Sequence, residues 1–366
     1  MGLIRTFHPI GQGAFYTERH TFNNNVFTIV YDCGSKTLSE SEMERKISST
    51  FRKNEKIDIL FISHFHEDHV NGLDFLKNHC KIKRVVLPLL DEQAKALIKV
   101  SNFINGYFNT ELIDNPQTFF GEDVSIILIE ANISGNSNVN GIDDEKREAI
   151  TDIIGGREGT FVSGTVFIPF VDADWLFIPF NYERDERRNA FEDALRSKGL
   201  TISNINTVND MYRHKEKIIE AYEAVSKGDQ NEISMILFSG KRVDDYIHSF
   251  NYCRHFYTKQ HLHFHQSGCL YMGDINVRKK VIMTDMKNRL TKYWPHIGTL
   301  QIPHHGSINN FNNGILAQNM RSAIFSFGTN NTYGHPSDKI IGDVSANYTY
   351  PYLVTEEQTS IVIQVS

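Results

Sequence analysis

The apolar run KIDILFIS, residues 56–63, passes directly into HFHEDHVNGL, residues 64–73. No other stretch constrains the fold as much. The run has the length of a buried strand, and Val70, Leu73, Phe75 and Leu76 beyond it have helical spacing. Four ligand-type side chains, His64, His66, Asp68 and His69, therefore lie where a strand ends and a helix begins. Residues two apart in extended chain point the same way, so His64 and His66 can face one metal ion. Asp68 and His69 can reach a second ion nearby. Imidazole with carboxylate suits zinc, and also manganese or iron. Two ions about 3.5–4 Å apart can hold a bridging hydroxide and clamp a phosphoryl or carbonyl oxygen. A solvated histidine-rich loop has no need of this pattern at the end of a buried strand.

The flanking sequence alternates strand and helix. LIRTFHPI (3–10) and VFTIVYDCG (26–34) are β-branched and aromatic runs bounded by Gly and Asn. Ser39 with Glu42 forms a capping-box pattern before Met43, Ile47 and Phe51, which share one helical face. KIKRVVLPLL (81–90) reads as a further strand. In the middle, VSIILIEAN (124–132), GTVFIPF (164–170) and DWLFIPF (174–180) read as strands, residues 133–148 as a polar surface loop, and 183–227 as two helices around a loop. The last third returns to strands: ISMILFSGK (233–241), GCLYMGDI (268–275), GTLQIPH (298–304), SAIFSFG (322–328), PYLVT (351–355) and TSIVIQV (359–365). This content is too β-rich for a doubly wound sheet, and strands at both ends predict two sheets in contact.

At 366 residues and 40% hydrophobic, the chain can bury one large core or two average ones. With 38 basic and 44 acidic residues it does not coat nucleic acid by bulk charge, though a local basic groove stays open. Cys33, Cys80, Cys253 and Cys269 form no CxxC pair and are expected to be reduced thiols. The N-terminus MGLIRTFHPIGQGAF has no signal-peptide pattern, and no apolar run approaches a membrane span. The expectation is a soluble cytoplasmic protein without a membrane partner.

HFHEDH resembles the HxHxDH signature of the metallo-β-lactamase fold. The resemblance implies an α+β fold, a four-layer αββα metallo-β-lactamase sandwich, with metals at one edge between the sheets. HPIGQGAFY, NEISMILF, YMGD, IPHHGS, NTYGHPS and VTEEQTSIVI occur in this order. Together they resemble the hydrolase domain of competence-type DNA-uptake channel proteins and its stand-alone soluble relatives. The resemblance covers roughly 1–90 and 230–366. It implies a single domain over 1–366 with a large middle insertion at about 91–230, a surface for a protein partner or a lid. Relatives usually place an acid after GQG, and here that position is Ala14. Gly11 and Gly13 are read as turn residues.

The resemblance also implies a ligand set. Asp274 resembles the aspartate that bridges both metals, and His304 the last histidine ligand, with His305 adjacent and open to exchanging roles with it. Asp32 matches an acid that orients the site without being a ligand. The first metal would have His64, His66 and Asp274; the second, Asp68, His69, His304 and shared Asp274. Many members add a histidine to the first metal from a region that here reads DWLFIPFN, without one. His255, His261, His263 or His265 in HFYTKQHLHFHQ could fill the gap; the competing reading is a solvated hairpin tip. The expected cofactor is zinc, two ions, with manganese as the alternative.

A two-metal site implies hydrolysis, while the fold alone does not choose the bond. The leading expectation is a phosphodiester hydrolase, a nuclease foremost, using a metal-bound hydroxide at a one- or two-metal site. Asp68 and Asp274 would steer the water; His305, Ser307 and His335 would donate protons to phosphate oxygens or a leaving group. Arg278, Lys279, Lys280, Lys287, Arg289 and Lys292 could track a nucleic-acid backbone, and Tyr293 and Trp294 could stack on bases. The alternatives are a small phosphoester or cyclic-nucleotide hydrolase, and a non-catalytic partner-binding protein that keeps the fold.

Overall fold

The computed structural model describes residues 2–23, 25–133, 147–150, 158–171, 173–183, 185–225, 234–251 and 263–366. Two large sheets face each other. The first runs, in spatial order, Glu158–Phe161, Ser125–Ile129, Arg84–Pro88, Ile59–Phe61, Asn25–Ser35, Gly13–Phe22, Gly2–Phe7, Val362–Val365, Tyr246–Asn251, His263–Gln266. The second runs Arg147–Ala149, Val166–Ile168, Trp175–Glu183, Ser234–Lys241, Gly268–Tyr271, Ile297–Gln301, Ser322–Ser326, Tyr350–Val354, with Ala131–Ile133 paired beside Trp175–Glu183. The two ends of the chain meet in the first sheet, where Gly2–Phe7 pairs antiparallel with Val362–Val365.

Between the sheets lies an aromatic core. Tyr16, Tyr31 and Phe61 from the first meet Phe177, Leu237 and Tyr271 from the second. The Tyr31 and Tyr271 rings stack at 4.8 Å, and the Tyr31 hydroxyl crosses to the Met235 carbonyl at 2.9 Å. Each sheet's outer face carries helices. Met43 and Ile47 of Glu40–Thr50, and Leu73 and Leu76 of Leu73–His79, cover the first. Ile282 and Met286 of Lys280–Arg289, and Ile340 and Val344 of Asp338–Ala346, cover the second. The result is the expected αββα sandwich. The capping box is formed as well: the Glu42 carboxylate accepts from Ser39 N–H at 2.9 Å and Ser39 Oγ at 2.7 Å.

The middle stretch extends both sheets, through Ser125–Ile129 and Glu158–Phe161 on one and Val166–Ile168 and Trp175–Glu183 on the other. It also builds a helical cluster. Helix Glu92–Ile104 packs Leu97, Val100 and Phe103 against Phe191 and Leu195 of Asp185–Ser197 and Ile218 and Tyr222 of Lys215–Val225. Two expectations need correction. The second helix of 183–227 starts at the Thr207–Asp210 capping box and is interrupted at His214, φ −114°, into Val208–Arg213 and Lys215–Val225. Ile133, Arg147 and Glu148, read as loop, pair as strand; 134–146 lie outside the described residues. The unremarked strand Gly13–Phe22 pairs along most of Asn25–Ser35. Among the described residues no helix is long and apolar enough to cross a membrane. Cys33, Cys80 and Cys269 are buried and unbridged; Cys253 lies outside the described residues.

Candidate metal centre

The parallel strands Asn25–Ser35 and Ile59–Phe61 pair Tyr31 with Phe61, where the second strand ends while the first runs on beside Gly13–Phe22. Asp32, the next residue, sits at a bulge inside Asn25–Ser35 in a left-handed conformation, φ 54°. Its carboxylate accepts from Ser63 N–H at 2.7 Å, Ser63 Oγ at 2.6 Å and His69 Nδ1 at 2.7 Å. These bonds join the strand end to the loop beyond it, and fix the tautomer that leaves His69 Nε2 turned toward the site. The chain then enters the short helix Glu67–Val70 from His66, which carries Asp68 and His69 inward. Asn71 locks this turn onto the first sheet by exchanging bonds with the Ser35 backbone at 2.9 and 2.7 Å.

The second sheet supplies the rest. Gly268–Tyr271 ends in Met272 and Gly273, whose N–H groups both donate to Gln301 Oε1, and Asp274 follows. Gly273 has φ 50°, and a β-carbon there would stand 2.5 Å from Ser234 Oγ and 2.9 Å from the Ser63 side chain, so the two strand ends meet only through glycine. After Ile297–Gln301 the chain turns through His304, φ 48°, and His305, φ 56°. Two successive non-glycine residues in this region store backbone strain, which a functional constraint commonly maintains. His305 Nδ1 donates to the Ser326 carbonyl at 2.8 Å, aiming Nε2 at Asp68 Oδ2, 3.2 Å away.

Two groups with metal-ligand geometry result. His64, His66 and Asp274 form one; Asp68, His69 and His305 form the other, each with its ligand atoms within 4.8 Å of one another. Asp274 lies between them, with Oδ2 3.6 Å from His64 Nε2 and Oδ1 3.2 Å from His69 Nε2. The donor set suits a divalent cation. The Nε2 atom of His64 is buried with no hydrogen-bond partner, an arrangement that is costly unless an ion takes that lone pair. Burial pushes the His64 imidazole well below its ordinary range and His66 down to about 4, so both imidazoles are neutral. Burial works to raise the carboxyls, but the His305 hydrogen bond and the His69 charge outweigh it at Asp68. At Asp274, His304, His69, His305 and His64 do the same, and both carboxyls are held below the usual range.

His64, His66, Asp68, His69 and Asp274 converge. His304 stands just outside the groups, 23% exposed, with Nε2 3.8 Å from Asp274 Oδ2, while its neighbour His305 is buried within the second group. His335, half-buried, packs its ring 5.4 Å from that of His304. Burial, then the His304 and His305 charges, push His335 down to about 4, so it is neutral at neutral pH. Ser307 is buried and its Oγ accepts from Asn309 N–H, so it serves the turn. Gly11 and Gly13 hold left-handed turns, and a β-carbon at Gly13 would lie 2.6 Å from the Asp68 carbonyl. His265 does not approach the metal groups: it bonds the Ser322 hydroxyl, at the start of its strand. His255, His261 and the His263 side chain lie outside the described residues.

The basic stretch differs from its reading. Tyr293 is fully buried against Phe238, so it cannot stack on bases. Lys287 Nζ bonds the Gly314 carbonyl, and Arg289 pairs with Asp285 at 3.1 Å. Sequence reasoning missed Ser63, Gln301 and Ser326, which orient ligands, and Lys36, whose Nζ lies 4.0 Å from Asp68 Oδ1. Ser63 sits beside the motif and could have been suspected; the others are brought in by distant strands and carry no local signal.

The Metallo-beta-lactamase superfamily profile matches residues 24–133, the stretch that holds the HxHxDH signature. Among solved structures, unliganded yeast PDE1 is similar at 7% identity and TM-score 0.39, covering 99% of each chain. The metallo-beta-lactamase SMB-1 bound to 2-mercaptoethanesulfonate is similar at 8% identity and TM-score 0.30, over 83% of this chain and 82% of that one. No curated protein matches.

Proposed function

We propose that the chain is a metal-dependent phosphodiester hydrolase, with zinc as the resident ion. The observation that carries the reading is the pair of ligand groups with Asp274 between them. Divalent cations held there would supply Lewis acidity and activate water near neutral pH. The chain's own residues do the rest. Asp68 and Asp274 stay ionised and orient the attacking water. His304 and His335, outside the groups and 5.4 Å apart, provide hydrogen-bond donors for phosphoryl oxygens and the leaving oxygen. Lys36 brings positive charge to the same edge. The resemblance of the terminal segments to the hydrolase domain of DNA-uptake proteins supports a phosphodiester bond.

The test is metal content per chain, with Asp274→Ala as control, followed by turnover of bis(p-nitrophenyl) phosphate, cyclic nucleotides, and single-stranded DNA and RNA. Expected are bound metal, lost in the control, and turnover of at least one of these diesters. A metal-loaded chain that cleaves no phosphodiester would overturn the reading.

A further inference from the structure

We infer that Asn102 is a positioning residue of the metal centre, fixing the backbone between His64 and His66 from a helix that contributes no ligand. Its Nδ2 donates to the Phe65 carbonyl at 2.8 Å. Both residues are buried, at 4% and 1% exposure, so no solvent can replace the bond. Phe65 lies between two histidines of the first metal group, and rotation of its peptide would change the angle between their side chains.

The helix is built for this task. Along Glu92–Ile104, Ala94, Ile98 and Asn102 are spaced four apart and so share one face. Ala94 and Ile98 pack into the core beneath the first sheet, together with Phe65. Leu97, Val100 and Phe103 face the other way, into the helical cluster. Ser101 Oγ reaches that cluster too, bonding the Tyr222 hydroxyl at 2.9 Å. Lys99 Nζ anchors the helix to Asp114 at 2.9 Å. The helix is thus clamped between the metal loop and the helices behind it, and Asn102 is the polar link on the metal side. A buried carbonyl stripped of its donor must find another, and here it can do so only by moving the loop. Residues that orient ligands from outside the coordination shell typically change metal affinity by about 10–100-fold when removed.

The inference rests on the metal-centre reading, and its test separates the two. Metal affinity is measured by chelator competition with zinc and with manganese, on wild type, Asn102→Ala, Asn102→Asp and Ser101→Ala. Asn102→Asp keeps the volume and removes the donor, which covers the case in which the alanine variant folds poorly. Ser101→Ala loses a buried hydrogen bond of the same helix that points away from the site. The expected result is affinity lowered by about tenfold or more in both Asn102 variants and left within about twofold by Ser101→Ala. Wild-type affinity in the Asn102 variants, or an equal loss in Ser101→Ala, would overturn the inference alone. A wild-type chain that takes up no metal would overturn the metal centre and the inference with it.

Discussion

Adjacent histidines in PHHG take different places because the backbone separates them. Both sit at positive φ, yet His305 turns inward onto Asp68 and the Ser326 carbonyl, while His304 faces the open edge beside His335. Spacing cannot divide such a pair, since either imidazole could follow the end of the strand. The geometry assigns the ligand role proposed here to His305. His305→Ala is therefore expected to lower metal content, toward one equivalent per chain. His304→Ala should keep the metal and lower kcat of the phosphodiesterase reaction by about 10²-fold, the scale of a lost hydrogen-bond donor to developing charge. Metal analysis beside steady-state kinetics separates them; the reverse pattern would return the ligand role to His304.

Strand ends, rather than strands, make the site at the level of elements. His64, Asp274 and His304 each follow a strand, Asp32 sits at a bulge inside one, and the two sheets touch there through Gly273 against Ser63. Gly273→Ala is expected to cost about 1–3 kcal/mol through backbone strain, plus the close approach to Ser234, and to weaken metal binding because Asp274 is displaced. Ser39→Ala, at the cap of Glu40–Thr50, should cost about 1 kcal/mol and leave metal affinity unchanged, since that helix only covers the sheet. Chemical denaturation with parallel metal titration checks both. Equal effects on metal affinity would mean that the strand-end contact has no special role.

Across the whole molecule the two sheets are pinned by a buried charge cluster as well as by aromatic stacking. Arg5 and Glu18 are opposite each other in register in the first sheet and pair at 2.6 Å. Glu18 also accepts from Ser239 Oγ at 2.7 Å and the Tyr271 hydroxyl at 2.8 Å, both in the second sheet. Burial pushes the Glu18 carboxyl up, but Arg5 and His20 outweigh it and hold it below the usual range. A carboxyl depressed by folding stabilises above its unfolded pKa, about 4.3, and loses that contribution as pH falls through the folded value. Glu18→Gln should destabilise by about 3–5 kcal/mol at neutral pH, because Arg5 is left as an uncompensated buried charge. The variant should also show a shallower stability loss below about pH 4 than wild type. Urea melts across pH 3–7 read both; an unchanged midpoint would mean that the cluster is neutral for folding.

Much of this protein was legible in one dimension. HFHEDH after a buried strand points to the proposed metal loop because ligand spacing is local, and the capping box at Ser39 and the strand runs at both ends are local for the same reason. Those runs, together with the resemblance, were enough for the αββα layers. What tertiary structure alone decided depends on residues far apart in the chain. It brought Asp274 and His305 to the loop from the second sheet, placed His305 inside the second group and His304 just outside it, buried Tyr293, and set Lys36 and Asn102 beside the site. It also joined Arg5 and Glu18 inside the sandwich, where alternation patterns predict apolar side chains. A single strand's pattern states which side chains point inward; only the packing of two sheets determines what they meet there.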